Sequence, residues 1–311
     1  MAKSHVRRKC EMTAVSFVDG TNGDDLVFGL TGLWGDVFAY DLLSGDDTLL
    51  ASDGVNVINA GDGNDVIVTS YNADTVDGGN GNDVIAIGNG LDVAYGGNGN
   101  DTIVAGQGGG YDFWDNIRAY GGNGNDKLMG ANGNDQLMGD AGRDTLKGGN
   151  GDDYLNGGAS RDHLNGGAGN DYQEGDAGGD QLKGGSGFDT LNGGAGDDTL
   201  TGGTGGDTFV WNSYGGDIAG SRDMITDFQA AQGDTFQAYV EDPDAIIWLW
   251  DTKAGAVLVI DDYTGRHTTL FAGDTANDVM YSISINGGGG DKGKYAPVEA
   301  VVTTDHFDFM M

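Results

Sequence analysis

The sequence has little cysteine, little proline and few basic residues. A single cysteine, Cys10, in 311 residues excludes a disulfide framework and a thiolate metal cluster. Two prolines, with glycines that do not recur at every third position, exclude collagen. Lysine and arginine total 15 against 49 acidic residues, which gives a formal charge of -34. Such a chain repels nucleic acid and collects cations, so we expect no nucleic-acid partner.

Long apolar runs are also missing. No stretch approaches the roughly 18 apolar residues that a membrane-spanning helix needs. The basic stretch MAKSHVRRK is not followed by an apolar segment, which argues against a cleaved Sec-type signal. We therefore expect residues 1–19 to be a disordered basic N-terminus, and we expect export to depend on another signal.

Glycine and aspartate are abundant, and they recur with a period of nine. Glycine accounts for 61 of the 311 residues. From Gly121 to Val210 the chain reads as ten unbroken copies, such as GGNGNDKLM from Gly121. An array in the same register runs from Leu42 to Val104, and an outlying copy begins at Gly20. Repeats of this kind predict a solenoid of stacked units.

Two positions of each copy carry the pattern. The sixth is aspartate in nearly every copy, and the eighth is apolar in nearly every copy. The last three positions predict a minimal strand whose middle side chain points into a core. The first six predict a tight turn in which glycine supplies positive φ angles. Two copies then form one coil, and stacked coils align the aspartates in files with a spacing of about 4.8 Å.

Aligned carboxylates need a counter-ion. At about 5 Å and an effective dielectric constant near 20, two unit charges repel by roughly 3 kcal/mol. Aspartate oxygens and turn carbonyls form an all-oxygen site, which suits calcium better than magnesium or zinc. Since each copy buries one apolar side chain, metal binding is expected to supply much of the folding free energy. The predicted ligands of the multiple calcium ions are Asp25, Asp47, Asp65, Asp74, Asp83, Asp92, Asp101, Asp126, Asp135, Asp144, Asp153, Asp162, Asp171, Asp180, Asp189, Asp198 and Asp207.

The pattern resembles the RTX, or haemolysin-type, calcium-binding nonapeptide GGxGxDxUx over about residues 20–210. The resemblance implies an all-β fold, a right-handed parallel β-roll with a β-rich capping region at its C-terminal end. DTFVW from Asp207 and RDMITDF from Arg222 resemble the end of the roll in serralysin-type secreted proteases. In those proteases a strand of the Lys-Ile-Asp-Leu type follows, and here Thr235-Phe236-Gln237-Ala238 stands in its place.

The C-terminal residues Asp308-Phe309-Met310-Met311 resemble the uncleaved signal of type I secretion substrates. This resemblance implies the type I secretion machinery as a partner and an extracellular location. The predicted organisation after the N-terminus is a first array at 20–104, an insertion loop at 105–120, a second array at 121–210, a β-rich cap at 211–285, and a linker with the secretion signal at 286–311. A further insertion is expected at about 29–41. The sequence leaves open whether the two arrays form one continuous roll.

The apolar and aromatic runs after Val210 predict the strands of the cap. Together with the last strand of the array they are Thr208–Trp211, Met224–Phe228, Ala245–Trp250, Ala256–Ile260, Thr268–Phe271 and Val279–Ile285. The aromatic side chains of the two insertions, and Trp248-Leu249-Trp250, are candidates for packing in the cap or for contact with a lipid surface.

No catalytic motif is present. The sequence has no HExxH zinc motif and no GxSxG nucleophile elbow, and the 19 residues before the first copy are too few for a catalytic domain there. We therefore expect no enzyme, and the leading hypothesis is a secreted calcium-binding protein that folds on meeting extracellular calcium and acts as a scaffold or effector. One alternative is a membrane-active or signalling effector similar to the small rhizobial nodulation-signalling RTX proteins. Another is a surface adhesin or an unrecognised extracellular hydrolase, so a host membrane and an extracellular polysaccharide are the candidate partners.

Overall fold

The computed structural model describes most of the repeat region and part of the chain beyond it. The described residues are 15–29, 37–51, 53–106, 116–212, 222–240, 246–252, 255–262, 265–272, 283–287 and 301–302. The chain divides into two compact units, residues 1–155 and residues 156–311. Cys10, most aromatic side chains of the two insertions, and the proposed secretion tail lie outside the described residues.

The described part is built almost entirely from β-strands, with one 3-10 turn at Ala230–Gln232. The strands up to the middle of the chain are β1 (Val15–Asp19), β2 (Leu26–Phe28), β3 (Val37–Asp41), β4 (Thr48–Leu50), β5 (Val55–Asp62), β6 (Val66–Val68), β7 (Thr75–Asn80), β8 (Val84–Ile87), β9 (Asp92–Asn98), β10 (Thr102–Ala105), β11 (Ile117–Asn123), β12 (Lys127–Asn132), β13 (Gln136–Ala141), β14 (Thr145–Asn150) and β15 (Tyr154–Ala159). They are followed by β16 (His163–Ala168), β17 (Tyr172–Ala177), β18 (Gln181–Ser186), β19 (Thr190–Asn192), β20 (Thr199–Thr204), β21 (Thr208–Asn212), β22 (Arg222–Ile225), β23 (Thr235–Val240), β24 (Ile246–Thr252), β25 (Gly255–Asp262), β26 (Gly265–Ala272), β27 (Ile283–Gly287) and β28 (Val301–Val302). None of the helical segments within these ranges is long and apolar enough to cross a membrane.

In the first unit, alternate strands form two parallel sheets. One sheet has the order β1-β3-β5-β7-β9-β11-β13, and the other has the order β2-β4-β6-β8-β10-β12-β14. Strands that pair within a sheet are generally 18 residues apart, as Ile67 and Ile85 are in β6 and β8. Two nine-residue copies therefore make one coil, with one strand in each sheet. The predicted parallel β-roll is confirmed.

The two repeat arrays of the sequence join without a break in either sheet. Ala94 of β9 pairs with Ala119 of β11, and Ile103 of β10 pairs with Leu128 of β12. Residues stacked across this junction are 25 residues apart instead of 18. The pairing on both sheets therefore continues from the first array into the second within the first unit.

The strands extend further than the repeat pattern suggests. β3 and the start of β11 fall in stretches that the sequence assigned to insertions. Many copies also form strands of six residues instead of three, because ladder pairing continues through the glycine pair to the third position, as between Asn132 and Asn150. At the second position the backbone has positive φ, and Gly149 has φ of 126° within β14. Glycine permits this conformation without a side-chain clash, so the strand does not end there.

The second unit contains the end of the roll and a different kind of sheet. One sheet has the order β17-β19-β21-β23-β27, and the other has the order β16-β18-β20-β22-β26-β25-β24-β28. β25 is antiparallel to β24 and to β26, whereas the pairings up to β26 are parallel. The predicted cap strands are present with shifted ends, but β23 was missed. Its Thr235-Phe236-Gln237-Ala238 stretch departs from the serralysin-type sequence and still pairs in register with β21.

The core consists of the eighth-position side chains, stacked one per copy. The buried residues of this column are Leu49, Ile58, Ile67, Val76, Ile85, Ala94, Ile103, Leu128, Leu137, Leu146, Leu155, Leu164, Leu182, Leu191, Leu200 and Phe209. Gln173 is the exception at this position, and its side-chain amide donates a hydrogen bond to the Lys183 carbonyl over 2.7 Å. In the second unit, Phe209 and Phe228 contact each other with ring centroids 5.9 Å apart.

Candidate metal centre

The sixth-position aspartates lie at the end of each turn, immediately before a strand. Sixteen of the seventeen predicted ligands are buried, and Asp25 in the outlying copy is half-buried. Inward orientation follows from the strand period, because positions six and eight share a face. The burial of so many carboxylates in one column per sheet is the feature that requires an explanation.

Within each unit these side chains form two continuous columns, one in each sheet, and we call each column a file. The first file is Asp25, Asp47, Asp65, Asp83, Asp101, Asp126 and Asp144. The second file is Asn56, Asp74, Asp92, Ile117, Asp135 and Asp153. In the second unit, the third file is Asp162, Asp180, Asp198 and Asp223, and the fourth file is Asp171, Asp189, Asp207 and Asp234.

One oxygen of each carboxylate is held by the backbone of the neighbouring coil. The Asp65 N–H donates to Oδ1 of Asp83 over 2.8 Å, and the Asp83 N–H donates to Oδ1 of Asp101 over 2.7 Å. The same bond recurs along the files except at the Ile117 level, where the Asp92 N–H donates to the Asn116 carbonyl over 3.2 Å. Because Oδ1 is fixed by a backbone donor, the carboxylate has a defined orientation before any ion binds, and Oδ2 is directed elsewhere.

The second oxygen is buried without a hydrogen-bond donor in many of these residues. This holds for Oδ2 of Asp47, Asp65, Asp83, Asp101, Asp126, Asp180, Asp189 and Asp207. A buried charged oxygen without a partner is costly, and a cation is the partner that removes the cost. These oxygens are therefore the candidate ligands for a metal ion.

A backbone carbonyl approaches the same space as Oδ2. A methyl group built on Gly78 would lie 2.5 Å from Oδ2 of Asp83 and 2.7 Å from the Gly96 carbonyl oxygen. One built on Gly96 would lie 2.5 Å from Oδ2 of Asp101 and 2.6 Å from the Gly121 carbonyl oxygen. Because the first-position glycine has no side chain, an aspartate Oδ2 and a carbonyl oxygen of the next coil can both lie close to its Cα.

The donor set favours calcium over metals that bind through nitrogen or sulfur. No group of three or more His, Cys, Asp or Glu side chains in the described residues could by itself hold a metal ion. Sites in the files would therefore combine one or two carboxylates with backbone carbonyls. An all-oxygen set of this kind suits a large, flexible coordination sphere such as that of calcium.

Burial raises the pKa of the file carboxyls well above the ordinary aspartate value. Desolvation is the main cause, and it raises the pKa of Asp83 to about 7, that of Asp189 to about 7 and that of Asp180 to about 8. The neighbouring carboxylates of the same file raise these pKa values further, while the backbone N–H bond opposes the shift. Ionised carboxylates in a file therefore destabilise the folded state near neutral pH unless a cation compensates their charge.

Two members of the files were not predicted from the sequence. Asp223 accepts a hydrogen bond from the Asp198 N–H over 3.2 Å, and Asp234 accepts one from the Asp207 N–H over 3.0 Å. The separations are 25 and 27 residues instead of 18, so neither aspartate follows the two-copy spacing of the array. The remaining signal was an aspartate placed two residues before a buried apolar side chain, as in Asp234-Thr235-Phe236.

Asp227 stabilises the turn at the start of the last copy of the array. The two oxygens of Asp227 accept hydrogen bonds from the N–H groups of Gly202 and Gly203 over 2.9 and 2.8 Å. The following residue, Phe228, is buried. The Asp-Phe pair therefore fixes the last turn of the array through its carboxylate and its apolar ring together.

The fifth-position side chains form a second kind of ladder on the exposed side of the turns. The Asn82 N–H donates to Oδ1 of Asn64 over 2.8 Å, and the Asn100 N–H donates to Oδ1 of Asn82 over 2.7 Å. These amides satisfy each other without an ion because each supplies both donors and acceptors. The ladder begins with Asp24 and Asp46 and continues through neutral amides, so it lies on the outside of the turns while the carboxylate files lie inside, one residue further along the chain.

Comparison with known families agrees with this geometry. The family model described as the RTX calcium-binding nonapeptide repeat (4 copies) matches residues 43–75, 50–85, 61–94, 77–111, 118–146, 138–173 and 174–209. No curated protein matches the sequence. The matched segments cover more than half of the chain and include most of the file aspartates, and the chain belongs to the family of RTX calcium-binding repeat proteins.

Proposed function

We propose that this protein is a secreted calcium-binding protein whose roll folds when it meets extracellular calcium and then acts as an extracellular scaffold or effector. RTX repeats bind calcium, and proteins of this family are typically secreted by type I systems. The observation that carries the proposal is the row of buried Oδ2 atoms without hydrogen-bond donors, repeated from Asp47 to Asp126 in the first file. Calcium bound there would supply the positive charge that lets these carboxylates coexist in a compact state.

Different positions of each nine-residue copy have different roles in the proposed binding of calcium. The sixth-position carboxylates are the proposed ligands, and the backbone N–H of the preceding coil orients each of them through Oδ1. Glycine at position one allows Oδ2 to approach the backbone closely, because a methyl group there would collide with the carboxylate. Each ion then contacts two coils, so binding at one level favours order at the next, and we expect the transition to be cooperative.

The export step follows from the same electrostatics. Calcium in the cytosol is too dilute to fill sites of the extracellular class, whose dissociation constants are about 10⁻⁴–10⁻³ M. With a formal charge of -34, the metal-free chain repels itself and stays extended, which suits passage through a narrow export channel. The type I machinery and the C-terminal signal are part of this proposal, and deletion of residues 308–311 should abolish export of the chain by a type I exporter.

Circular dichroism in chelator and in calcium tests this calcium-dependent folding, which we call the folding switch. We expect a coil spectrum in EDTA, a β spectrum in millimolar calcium, and a steep titration between them. Magnesium at the same concentration is the control, and it should not produce the β spectrum because it demands stricter octahedral geometry. A chain that is fully β-structured in EDTA would overturn the proposal.

A second candidate function is an effector that acts on a membrane. The observation in its favour is the exposure of large apolar side chains on the first strands, with Phe17 69%, Leu26 62% and Phe28 65% exposed. Leakage from lipid vesicles, measured with and without calcium, separates this function from a purely extracellular scaffold. Binding to a polysaccharide array would instead favour an adhesin, and turnover of such a polymer would favour a hydrolase.

A further inference from the structure

A shallow groove runs across the outer face of the sheet that contains β1, β3, β5, β7 and β9. Its volume is about 440 Å³, within the range of sites that hold small molecules or a few side chains. The groove lies on the face opposite the file aspartates and the core, because its main side chains occupy the seventh and ninth positions of the copies. The groove is therefore not part of the candidate calcium sites or of the hydrophobic core.

Two columns of side chains line this groove, one apolar and one acidic. The apolar column is Phe17, Ala39 and Val57, which pair in register on successive strands. The acidic column is Asp19, Asp41, Asn59 and Asp77, two residues further along the same strands. Phe17 is 69% exposed and Val57 is 47% exposed, so the apolar column is open to a partner.

The acidic column has no counter-charge of its own among the described residues. The groove is lined by three carboxylates and by no lysine, arginine or histidine. Asn59 donates a hydrogen bond to Oδ1 of Asp41 over 3.1 Å, which keeps that carboxylate turned along the column. Three exposed carboxylates on one face of a rigid ladder produce a local negative potential that attracts a cation.

Aromatic rings close one end of the acidic column. Tyr95 pairs in register with Asp77, and it stacks on Tyr120 with ring centroids 5.0 Å apart and planes 11° from parallel. Tyr95 is 42% exposed. The face of a tyrosine ring attracts ammonium and guanidinium groups, and a carboxylate beside it adds to that attraction. The carboxylates and the tyrosine pair therefore select the same kind of ligand.

We propose that this groove docks a cationic polypeptide segment, one that carries apolar side chains beside its lysines or arginines. The apolar side chains would cover Phe17 and Val57, and the basic groups would lie along the acidic column and over Tyr95. A neutral sugar would leave three carboxylates uncompensated, and an anionic lipid surface would be repelled by them. A second copy of this chain is a poor occupant because each copy carries a formal charge of -34.

Fluorescence anisotropy with defined peptide probes tests the docking in millimolar calcium. The probe is a labelled peptide of alternating lysine and leucine, and the comparison probes alternate lysine with serine and glutamate with leucine. We expect the lysine–leucine probe to bind most tightly and the glutamate–leucine probe not to bind. Affinity should fall with added salt, because exposed charge pairs are screened.

A charge-neutralised variant identifies the surface. The triple change Asp19→Asn, Asp41→Asn and Asp77→Asn should weaken binding of the lysine–leucine probe about tenfold or more, since each exposed ion pair contributes modestly and three act together. Tyr95→Ser should weaken it by a smaller factor of about three. The matched control removes the same charge at fifth positions, where asparagine is common, with Asp46→Asn, Asp152→Asn and Asp197→Asn.

The outcomes separate this docking from the proposed folding switch. Circular dichroism of each variant in calcium reports the roll independently, so a loss of binding with an intact β spectrum belongs to the groove alone. Equal loss in the control variant, unchanged affinity in the groove variant, or tight binding of the glutamate–leucine probe would each overturn the proposal. So would a neutral oligosaccharide whose binding depends on Tyr95 and not on the three carboxylates.

Discussion

The first and second files of the first unit occupy equivalent places and differ in composition. The first file is aspartate at every level from Asp25 to Asp144, whereas the second contains Asn56 at one level and Ile117 at another. At the Asn56 level, the side-chain amide donates to Oδ1 of Asp74 over 2.9 Å. At the next interruption, the Ile117 N–H still donates to Oδ1 of Asp135 over 2.9 Å. The backbone ladder therefore tolerates the loss of a carboxylate, and only the proposed ion site depends on it.

This difference predicts that the two files contribute unequally to calcium dependence. An ion between two coils would meet two carboxylates throughout the first file, but only one at the interrupted levels of the second. The β-roll geometry is common to both files, so the demand for metal follows from the side chains and not from the fold. Acidification and substitutions within each file test whether the side chains or the fold create the requirement for calcium.

Acidification should have the largest effect of the changes considered, because it protonates several carboxylates of a file at once. Burial raises the pKa of Asp47 to about 6, that of Asp83 to about 7 and that of Asp126 to about 6, from an ordinary value of 3.8. As the pH falls from about 8 towards 4, the folded state takes up protons before the unfolded state does, so the metal-free roll gains stability. At higher pH the carboxylates are charged in both states, and the full cost of burying them is present.

Circular dichroism in EDTA as a function of pH measures this effect. We expect β structure in EDTA to increase as the pH is lowered from 8 to 5, and we expect the stabilisation added by a fixed calcium concentration to decrease, because protons compete for the same oxygens. A metal-free β signal that falls or stays constant over this range would contradict the conclusion that the buried, charged carboxylates destabilise the metal-free fold.

A single substitution in the first file should have the next largest effect. Asp83→Asn keeps an oxygen that can accept the Asp65 N–H but removes one charge from two successive carboxylate pairs. We expect a loss of about 1–3 kcal/mol of calcium-dependent stability, and roughly half of that for Asp92→Asn, which stands next to Ile117. The calcium midpoint of folding is the measurement.

The control for this prediction is Asp77→Asn. Asp77 lies six residues before Asp83 and is exposed on the outer face of the sheet. The substitution removes the same charge outside the files, and of the carboxylates that raise the pKa of Asp83, Asp77 contributes least, so its midpoint should shift much less than that of Asp83→Asn. Equal shifts for Asp77→Asn and Asp83→Asn would mean that general charge, and not the file, controls folding.

The sequence was sufficient to predict the coil, the core column and most of the files. The nine-residue phase determines which side chains point inward, and Leu128 and Asp126 are buried as this phase requires. The parallel stacking also followed, since the aspartate and leucine columns can form only if equivalent residues align. These features depend on local periodicity, which a single sequence records.

Features that depend on the length of an insertion could not be predicted in the same way. Ile117 occupies the level between Asp92 and Asp135 because the coil there is 25 residues long, and no local pattern marks it as a file residue. Asp223 and Asp234 were missed for the same reason. Their register is decided by which strand edge is available for pairing, and this is a property of the assembled roll.

Ile117→Asp should convert the interrupted level into a carboxylate level. The change places a charge between Asp92 and Asp135 and so creates two new carboxylate pairs in the second file. We expect lower stability in EDTA, by about 1–2 kcal/mol, because a buried apolar side chain is lost and a buried charge is gained. In saturating calcium the loss should be largely recovered, and equilibrium dialysis should detect additional bound calcium.

Ile117→Asn is the matched variant for this experiment. It has nearly the same size as the aspartate variant and lacks its charge, so it should lose stability in EDTA without a gain in bound calcium. If the aspartate and asparagine variants bind the same amount of calcium, the level at residue 117 cannot form an ion site, and the two files differ in more than their side chains.

Asn56→Asp should produce the smallest effect, because it creates one carboxylate pair instead of two. The neighbour of residue 56 on the other side is Phe38, so only Asp74 can share an ion with the new carboxylate. The change also removes the amide that now donates to Asp74 and to the Gly54 carbonyl, which leaves the metal-free turn with an additional uncompensated charge. We expect a decrease of about 1 kcal/mol in stability in EDTA and a slightly steeper calcium titration. A variant more stable than the parent in EDTA would show that the amide at this level does not replace an ion, and the contrast between the files would then have a different origin.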